Sequence, residues 1–288
     1  MRGSRIRDFV RSAARTASLA LPPLVDETLR MWRNLGYIPN IRNPSTFNEK
    51  IAHRKLYAWD RKFTELADKW VVRDYVKSRV GEEYLTEVYQ HITNIKDLDF
   101  EALPESFVAK GRHDSGSVML IDHKSREDVQ LLRERFEQIL RRRISPTYHE
   151  YWYAGIPAGI IIEERLRDEN HFVPLDFKFL VFHGRVEFIQ VFHDRHIRTS
   201  VRFYDRAWNP LSVGRPGMPL APVIQRPRQL AHMIAVAETL ADDLDFVRVD
   251  LYAPSDRRVV FGELTFAPAS GRRPFVPRSF DWELGRYW

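Results

Sequence analysis

Two acids late in the chain have the type and setting for metal chemistry. Asp250 lies in Val-Arg-Val-Asp-Leu-Tyr and Glu263 in Phe-Gly-Glu-Leu-Thr-Phe, stretches whose apolar residues predict two neighbouring strands, Phe246 to Tyr252 and Val259 to Leu264. An antiparallel hairpin would bring both carboxylates to one end of a sheet. Carboxylates among Val, Leu and Phe are costly unless paired or metal-bound. Mg²⁺ suits such a pair, because it uses one or two carboxylates and completes its octahedron with phosphate oxygens and water. An ion pair with Arg248, or exposure on a polar face, would satisfy the same acids. A second candidate is Lys110 at a strand end, followed by a glycine-bracketed loop with Gly111, His113, Ser115, Gly116 and Ser117. Backbone N–H groups of such a loop can approach phosphates while the lysine neutralises charge; a plain hairpin turn is the other reading. Third come Glu163 and Glu164 after Ile160-Ile-Ile, with Lys178 on the next strand. A carboxylate there could accept from ribose hydroxyls and an inward lysine could meet phosphate, although a surface acid pair at a strand end is common.

Elements must hold these groups, and composition bounds what the elements can be. The 288 residues are 44% hydrophobic, 29% charged and 12% aromatic, which excludes a wholly disordered chain and allows a substantial core. No apolar run is long enough to span a bilayer. Cysteine is absent, so disulfides, thiolate nucleophiles and cysteine-held metals are excluded, and a reducing compartment is the simplest home. Lys and Arg outnumber Asp and Glu by 45 to 39, a net charge of +6 that suits anionic partners.

Periodicity places the groups on elements. Residues 1–20 carry Ile6, Phe9, Val10, Ala13 and Ala17 at helical spacing, with five arginines against the single acid Asp8. This predicts a basic amphipathic helix, packed on the protein or lying on anionic lipid. Pro22-Pro23 ends it, and helices follow from about Asp26 to Asn34, from the capping-box spacing Thr46-Phe-Asn-Glu49 to Tyr57, and from Asp68 towards Gly81. The first third is thus expected to be mostly helical, with no Gly-rich strand-to-helix turn. Strands are expected at Phe107–Lys110, Ser117–Ile121 and Gly159–Glu164, with a helix from Ser125 to about Arg141 between the last two. Asp176–Phe182 and Arg185–Phe192 form a hairpin across His183-Gly184. Pro227 opens a helix containing Leu230, Met233, Ile234, Ala237 and Leu240. In His193-Asp-Arg-His196 the strand spacing points the imidazoles to opposite faces, against chelation.

The ordered series of lysine–glycine loop, acidic pair, lysine strand, Arg-x-Asp and Gly-Glu-x-Thr resembles the ATP-grasp superfamily, and more narrowly the TupA-like ATP-grasp family. Matching stretches include Pro44-Ser-Thr-Phe-Asn-Glu-Lys50-Ile, Ala67-Asp-Lys69-Trp-Val-Val-Arg73, Leu103-Pro-Glu-Ser-Phe-Val-Ala-Lys110, Asp176-Phe-Lys178-Phe, Phe246-Val-Arg-Val-Asp250-Leu-Tyr and Phe261-Gly-Glu263-Leu-Thr-Phe, from about residue 40 to the C-terminus. The resemblance implies an α+β fold in which two subdomains clasp ATP. Residues 1–35 and 36–100 would be N-terminal helical regions, 101–165 the small subdomain and 166–288 the large one. By the same resemblance Lys110 and the loop residues Gly111, His113, Ser115, Gly116 and Ser117 would contact ATP phosphates. Glu163 and Glu164 would hold adenine and ribose, and Lys178 would support the phosphates. Arg248 would stabilise charge on the transferring phosphoryl group, and Asp250 and Glu263 would bind one or two Mg²⁺ ions. Thr265 stands where many ATP-grasp enzymes carry an asparagine ligand, and the superfamily's usual N-terminal α/β domain is not evident.

The activity implied is an ATP- and Mg²⁺-dependent carboxylate–amine ligase acting through an acyl-phosphate. The family is named for teichuronopeptide biosynthesis and is associated with cell-surface polysaccharide, so a uronic or amino acid acceptor and an amine are the expected partners. The expected place is the cytoplasm, at or near the inner face of an anionic membrane; nucleic acid is not an expected partner. A kinase of a sugar or small molecule could use the same ATP apparatus. A glycosyltransferase with acids on a nucleotide-sugar metal, or a basic binding module, are the other readings.

Overall fold

The structure, a computed structural model, describes residues 21–144, 146–168, 174–193, 199–255 and 258–288. The segment 1–20, expected to form a basic amphipathic helix, lies outside the described residues, as does His196. Two antiparallel sheets organise the rest, an α+β arrangement. The smaller contains β1 (Val88–Ile92), β2 (Phe107–Gly111), β3 (Val118–Ile121) and β4 (Ile160–Glu164), in the order β1-β4-β2-β3. The larger contains β5 (Asp176–Phe182), β6 (Arg185–His193), β7 (Ser200–Asp205), β8 (Pro210–Leu211), β9 (Phe246–Ser255) and β10 (Arg258–Thr265), in the order β10-β9-β5-β6-β7-β8.

Strand alternation decides which face of the small sheet carries chemistry. Phe107 and Ala109 of β2, Ile160 and Ile162 of β4 and Ile121 of β3 cluster with Leu132, Phe136 and Ile139 of helix α5 (Val129–Arg141). Lys110 and Glu163 are out of phase with that set and project from the opposite face. The helix begins later than the sequence spacing suggests, because Asp128 accepts from the Leu131 N–H at 3.0 Å and caps it there.

The large sheet is covered from both sides. Helix α6 (Leu230–Ala241) packs on β5, β6 and β9 and buries Leu230, Met233, Ile234, Ala237 and Leu240. It starts at Leu230, since Pro227 supplies a preceding turn rather than the first helical residue. On the other face sit α2 (Phe47–Tyr57) and the C-terminal α7 (Ser279–Tyr287), with α1 (Pro23–Leu35) packed on α2, while α3 (Arg61–Ala67) meets β10 and α4 (Val72–Arg79) reaches α6, Tyr75 donating to the Leu240 carbonyl at 2.9 Å. Phe47 meets Phe246 edge-on at 5.0 Å and Phe182 at 6.1 Å, and Phe280 meets Phe188 at 5.0 Å and Phe203 at 5.5 Å. Such aromatic pairs each add about 0.5–1.5 kcal/mol beyond area burial. Two and four residues along β9 from Phe246, on the same face, are Arg248 and Asp250. One face therefore divides lengthwise into an apolar end under helices and a charged end.

The N-terminal helices also grip the charged strands. The expected capping box is present: Thr46 accepts from the Glu49 N–H at 3.2 Å and Glu49 from the Thr46 N–H at 3.0 Å. The helix it starts carries Arg54, buried at 2% exposure, whose guanidinium donates to the carbonyls of Phe246 and Phe266 at 2.9 and 3.1 Å. Those carbonyls mark the start of β9 and the end of β10. The first third, expected to be mostly helical, also contains a strand, since β1 pairs with β4. It is an edge strand whose residues are mostly half-buried, so it has no clean alternation.

Candidate active site

A single inserted residue brings the two acids together. Phe261 stands opposite Leu251, but Glu263 stands opposite Asp250, so Gly262 is an extra residue in β10. Without that bulge Glu263 would face Val249, on the wrong side of the sheet. A Cβ on Gly262 would lie 3.1 Å from the Asp250 carbonyl oxygen and 3.0 Å from the Tyr252 ring, so close strand approach favours glycine. Lys178 stands opposite Asp250 on the other flank, and Thr265 opposite Arg248.

Side chains in this patch are tightly paired. Arg248 donates to both Asp250 oxygens at 2.6 and 2.7 Å, to Glu263 Oε1 at 2.9 Å and to Thr265 Oγ1 at 2.9 Å. The Thr265 hydroxyl donates onward to Glu263 Oε1 at 3.0 Å. Lys178 bonds Asp250 and lies 2.9 Å from Asp176. Asp176, Lys178 and Asp250 are 1–3% exposed, whereas the Glu263 side chain is 39% exposed. Burial pushes the Glu263 carboxyl up, but Arg248, Lys178 and Lys69 outweigh it and hold the group at about 2. Burial dominates at Asp250 and pushes it upward against Arg248 and Lys178.

On the small sheet Lys110 reaches Glu163 at 2.6 Å, as a diagonal cross-strand pair. Glu163 also accepts from Thr86 at 2.7 Å, and Arg73 holds the Thr86 carbonyl at 2.6 Å. Glu164 points elsewhere: it pairs with Arg258 at 3.0 Å and accepts from the Glu87 N–H at 3.2 Å. That ion pair joins the last strand of the small sheet to β10 of the large one. In the loop after Lys110, Ser115 and Gly116 are exposed, and Gly116 has φ 95° with open space where a Cβ would stand. Gly111 packs too tightly on Asp114 to admit a side chain. Ser117 is buried, bonded to Asp114 and 2.9 Å from Arg142. His113 departs from expectation. It is 2% exposed, accepts from the Gly159 N–H at 3.3 Å and donates to the Arg142 carbonyl at 2.8 Å. Both ring nitrogens are spent on backbone, so in this structure His113 holds the loop rather than facing a ligand.

Sequence reasoning passed over several neighbours. Lys69 bonds the Asp114 carbonyl; burial lowers its pKa, with Glu263 raising it and Lys110 lowering it. It thus feels charged groups of both sheets. The preceding residue, Asp68, forks with Arg112 at 2.7 and 2.6 Å and ties this turn to the glycine loop. Tyr153 also feels Glu263 and Arg248. The Asp-Lys pair at a helix start was a usable signal for Lys69; nothing local marks Tyr153. Trp208, in the loop after β7, stacks on Tyr204 at 4.0 Å in the core.

The model of the TupA-like ATP-grasp family matches residues 49–288. The chain belongs to that family. No curated protein matches the sequence. Among solved structures it is similar to a D-alanine–D-alanine ligase from Bacillus anthracis complexed with ATP, at 15% identity and TM-score 0.43, over 70% of this chain and 54% of that one. The ATP-grasp ligase PsnB with a precursor variant, Mg and ADP gives 11% identity and TM-score 0.39, over 71% and 51%. N5-carboxyaminoimidazole synthetase from Staphylococcus aureus gives 14% and 0.40, over 69% and 44%. The chain spans about half the length of these structures.

Within this TupA-like ATP-grasp chain the donor chemistry fits Mg²⁺. Asp250 and Glu263 offer hard oxygens in direct cross-strand register, and Glu263 is the reachable one. Among the described residues no three carboxylate or imidazole groups converge on one point. The described residues therefore offer this site two carboxylates with the Thr265 hydroxyl, leaving the other positions to phosphate oxygens and water, as magnesium prefers.

Proposed function

We propose that this chain is an ATP- and Mg²⁺-dependent ligase that joins a carboxylate to an amine through an acyl-phosphate. The observation that carries the reading is the junction of Lys178, Arg248, Asp250 and Glu263 on one sheet face, with Lys69 in electrostatic range of both Glu263 and Lys110. A carboxylate oxygen of the acid attacks the γ-phosphorus and ADP leaves. The amine nitrogen then attacks the acyl carbon, phosphate departs and the nitrogen loses a proton. Phosphoryl transfer asks mainly for positioning and charge compensation. Lys110 and the exposed loop at Ser115–Gly116 would hold the non-transferring phosphates, with the buried Gly111, His113 and Ser117 fixing the loop. Lys178 and Arg248 would compensate the transferring group, while Glu163 would border the adenine and ribose and Glu164, paired with Arg258, would tie β4 to the large sheet beside them. Mg²⁺ held by Asp250 and Glu263 would supply further charge neutralisation.

The family's association with surface polysaccharide supports a uronic or amino acid acceptor. The five arginines in residues 1–20 support docking on an anionic leaflet, and no helix among the described residues is long and apolar enough to cross a membrane. Domain limits at 101–165 and 166–288 are part of the proposal, supported by the change of sheet between Glu164 and Asp176. The deciding experiment is ADP release across a panel of acids and amines with ¹⁸O in the carboxylate. Amine-dependent product formation, with one ¹⁸O passing to phosphate, is expected. A stable phosphorylated product without an amine would make the chain a kinase. Stabilisation by nucleotide sugars but not by ATP would make it a glycosyltransferase.

A further inference from the structure

A second arginine lies buried within electrostatic range of Arg248, with no carboxylate bonded to it among the described residues. Arg215 opens the turn Arg215-Pro-Gly-Met218, and the preceding Gly214 exchanges hydrogen bonds with Val276 at 2.8 and 3.0 Å. That pairing fastens the turn to the chain leaving β10. The Arg215 guanidinium stands 3.8 Å from the centre of the Phe275 ring. Its Nη1 donates to the carbonyls of Arg273 and Pro274 at 2.6 and 3.4 Å, and the residue is 9% exposed. Its Nε and Nη2 make no hydrogen bond among the described residues. Arg273 beside it is exposed and forms no ion pair among the described residues.

An arginine this buried is ordinarily matched by a carboxylate. Here burial, with Arg273 and Arg248 adding positive charge, lowers Arg215 to about 9. Asp281 pulls the other way, but its oxygens are committed to Asn48, at 3.0 Å to the backbone N–H and 2.8 Å to the side-chain amide. The planar group is thus held by a ring and two carbonyls, with one edge unused, which is the geometry for a bidentate oxyanion.

We propose that Arg215, with Arg273 beside it, binds a second oxyanion of the acceptor, so that the acceptor carries a carboxylate or phosphate besides the carboxylate activated at Arg248. The proposal rests on the ligase reading for its meaning, yet its test does not require amide formation. Protein saturated with Mg·AMPPNP is titrated with succinate and with glycerol 3-phosphate, and with glycerol as the neutral control, and melting is followed. One of the two anions should raise the melting temperature saturably and glycerol should not; which anion does so separates a carboxylate from a phosphate. Arg215→Gln should weaken that anion by about 10- to 100-fold, as for a lost charge-assisted contact, and Arg215→Lys less. The shift caused by Mg·AMPPNP itself should stay. Arg273→Ala, at an exposed side chain, should weaken the anion about threefold to tenfold, and decides the matter if Arg215→Gln does not fold. No saturable anion shift in the wild type, or an undiminished one in the variants, overturns the proposal. Loss of the Mg·AMPPNP shift overturns it too, by making Arg215 part of the nucleotide site. Arg215-dependent anion binding without amine-dependent ADP release would sink the ligase reading and leave this subsite standing.

Discussion

Replacing Arg248 with Met removes one cation from a patch in which two carboxylates depend on it. The guanidinium makes two bonds to Asp250 and one each to Glu263 and Thr265, all between 2.6 and 2.9 Å. Asp250 is 2% exposed and would keep only Lys178 as counter-charge. Removing one partner of a buried ion pair costs about 3–5 kcal/mol, because the other charge stays behind without solvent. Unfolding entropy of about 2.1 cal/mol/K per residue gives ~0.6 kcal/mol/K for this chain, so the melting temperature should fall by about 5–8 °C. Calorimetry without nucleotide or metal reads this directly. Arg248→Met/Asp250→Asn should recover part of the loss, since the stranded charge is gone, and the cycle isolates the pair energy. A single variant melting within a degree of wild type would refute the reasoning, as would a double variant whose loss is the sum of the two singles.

Four further outcomes are expected. Asp250→Asn/Glu263→Gln should abolish the melting shift produced by Mg·ATP, which at a hundredfold excess over Kd corresponds to about 2.7 kcal/mol; an unchanged shift would put the metal elsewhere. Lys110→Ala should raise KM for ATP with little change in kcat, and Arg248→Lys should mainly lower kcat, because only the latter charge is assigned to the transferring group; swapped signatures would reverse the two roles. Glu263, at about 2 when folded against 4.5 in its ordinary state, adds stability that is fully present above pH 4.5 and lost as pH falls towards 2. Acid titration of Glu263→Gln should therefore show a shallower decline across that window than wild type. Deleting residues 2–20 should end co-sedimentation with anionic vesicles at low salt while ADP release on a soluble acceptor continues; unfolding of the truncated chain would make that segment part of the fold.

Local signals served well where one interaction decides an element. The box Thr46–Glu49 marks a helix start because both partners lie within one turn. His183-Gly184, with φ of 47° and 74°, is a two-residue turn that matches the strand twist, so the hairpin of β5 and β6 was visible. Elements secured by distant partners were not. The edge strand β1 exists through β4, seventy residues away in sequence. Helix α7 is placed by Phe280 against Phe188 and Phe203, contacts without any local signature.

The site follows the same division, with one instructive exception. Lys178, Arg248 and Asp250 were legible because long alternating strands put them in phase on one face. Glu263 needed more, since plain pairing of β9 with β10 would set it against Val249 and turn its carboxylate away from Asp250. The bulge at Gly262 corrects the phase, and Gly-Glu in Phe-Gly-Glu-Leu is its only trace in the sequence. His113 shows the converse hazard. Proximity to a glycine loop gave it a ligand-facing role, yet backbone groups of neighbouring segments, the Gly159 N–H before β4 and the Arg142 carbonyl after α5, claim both ring nitrogens. A buried loop has to satisfy its backbone before it can offer donors to anything else. Ser115 and Gly116 are exposed, which is why the proposed function assigns the phosphates to them rather than to His113.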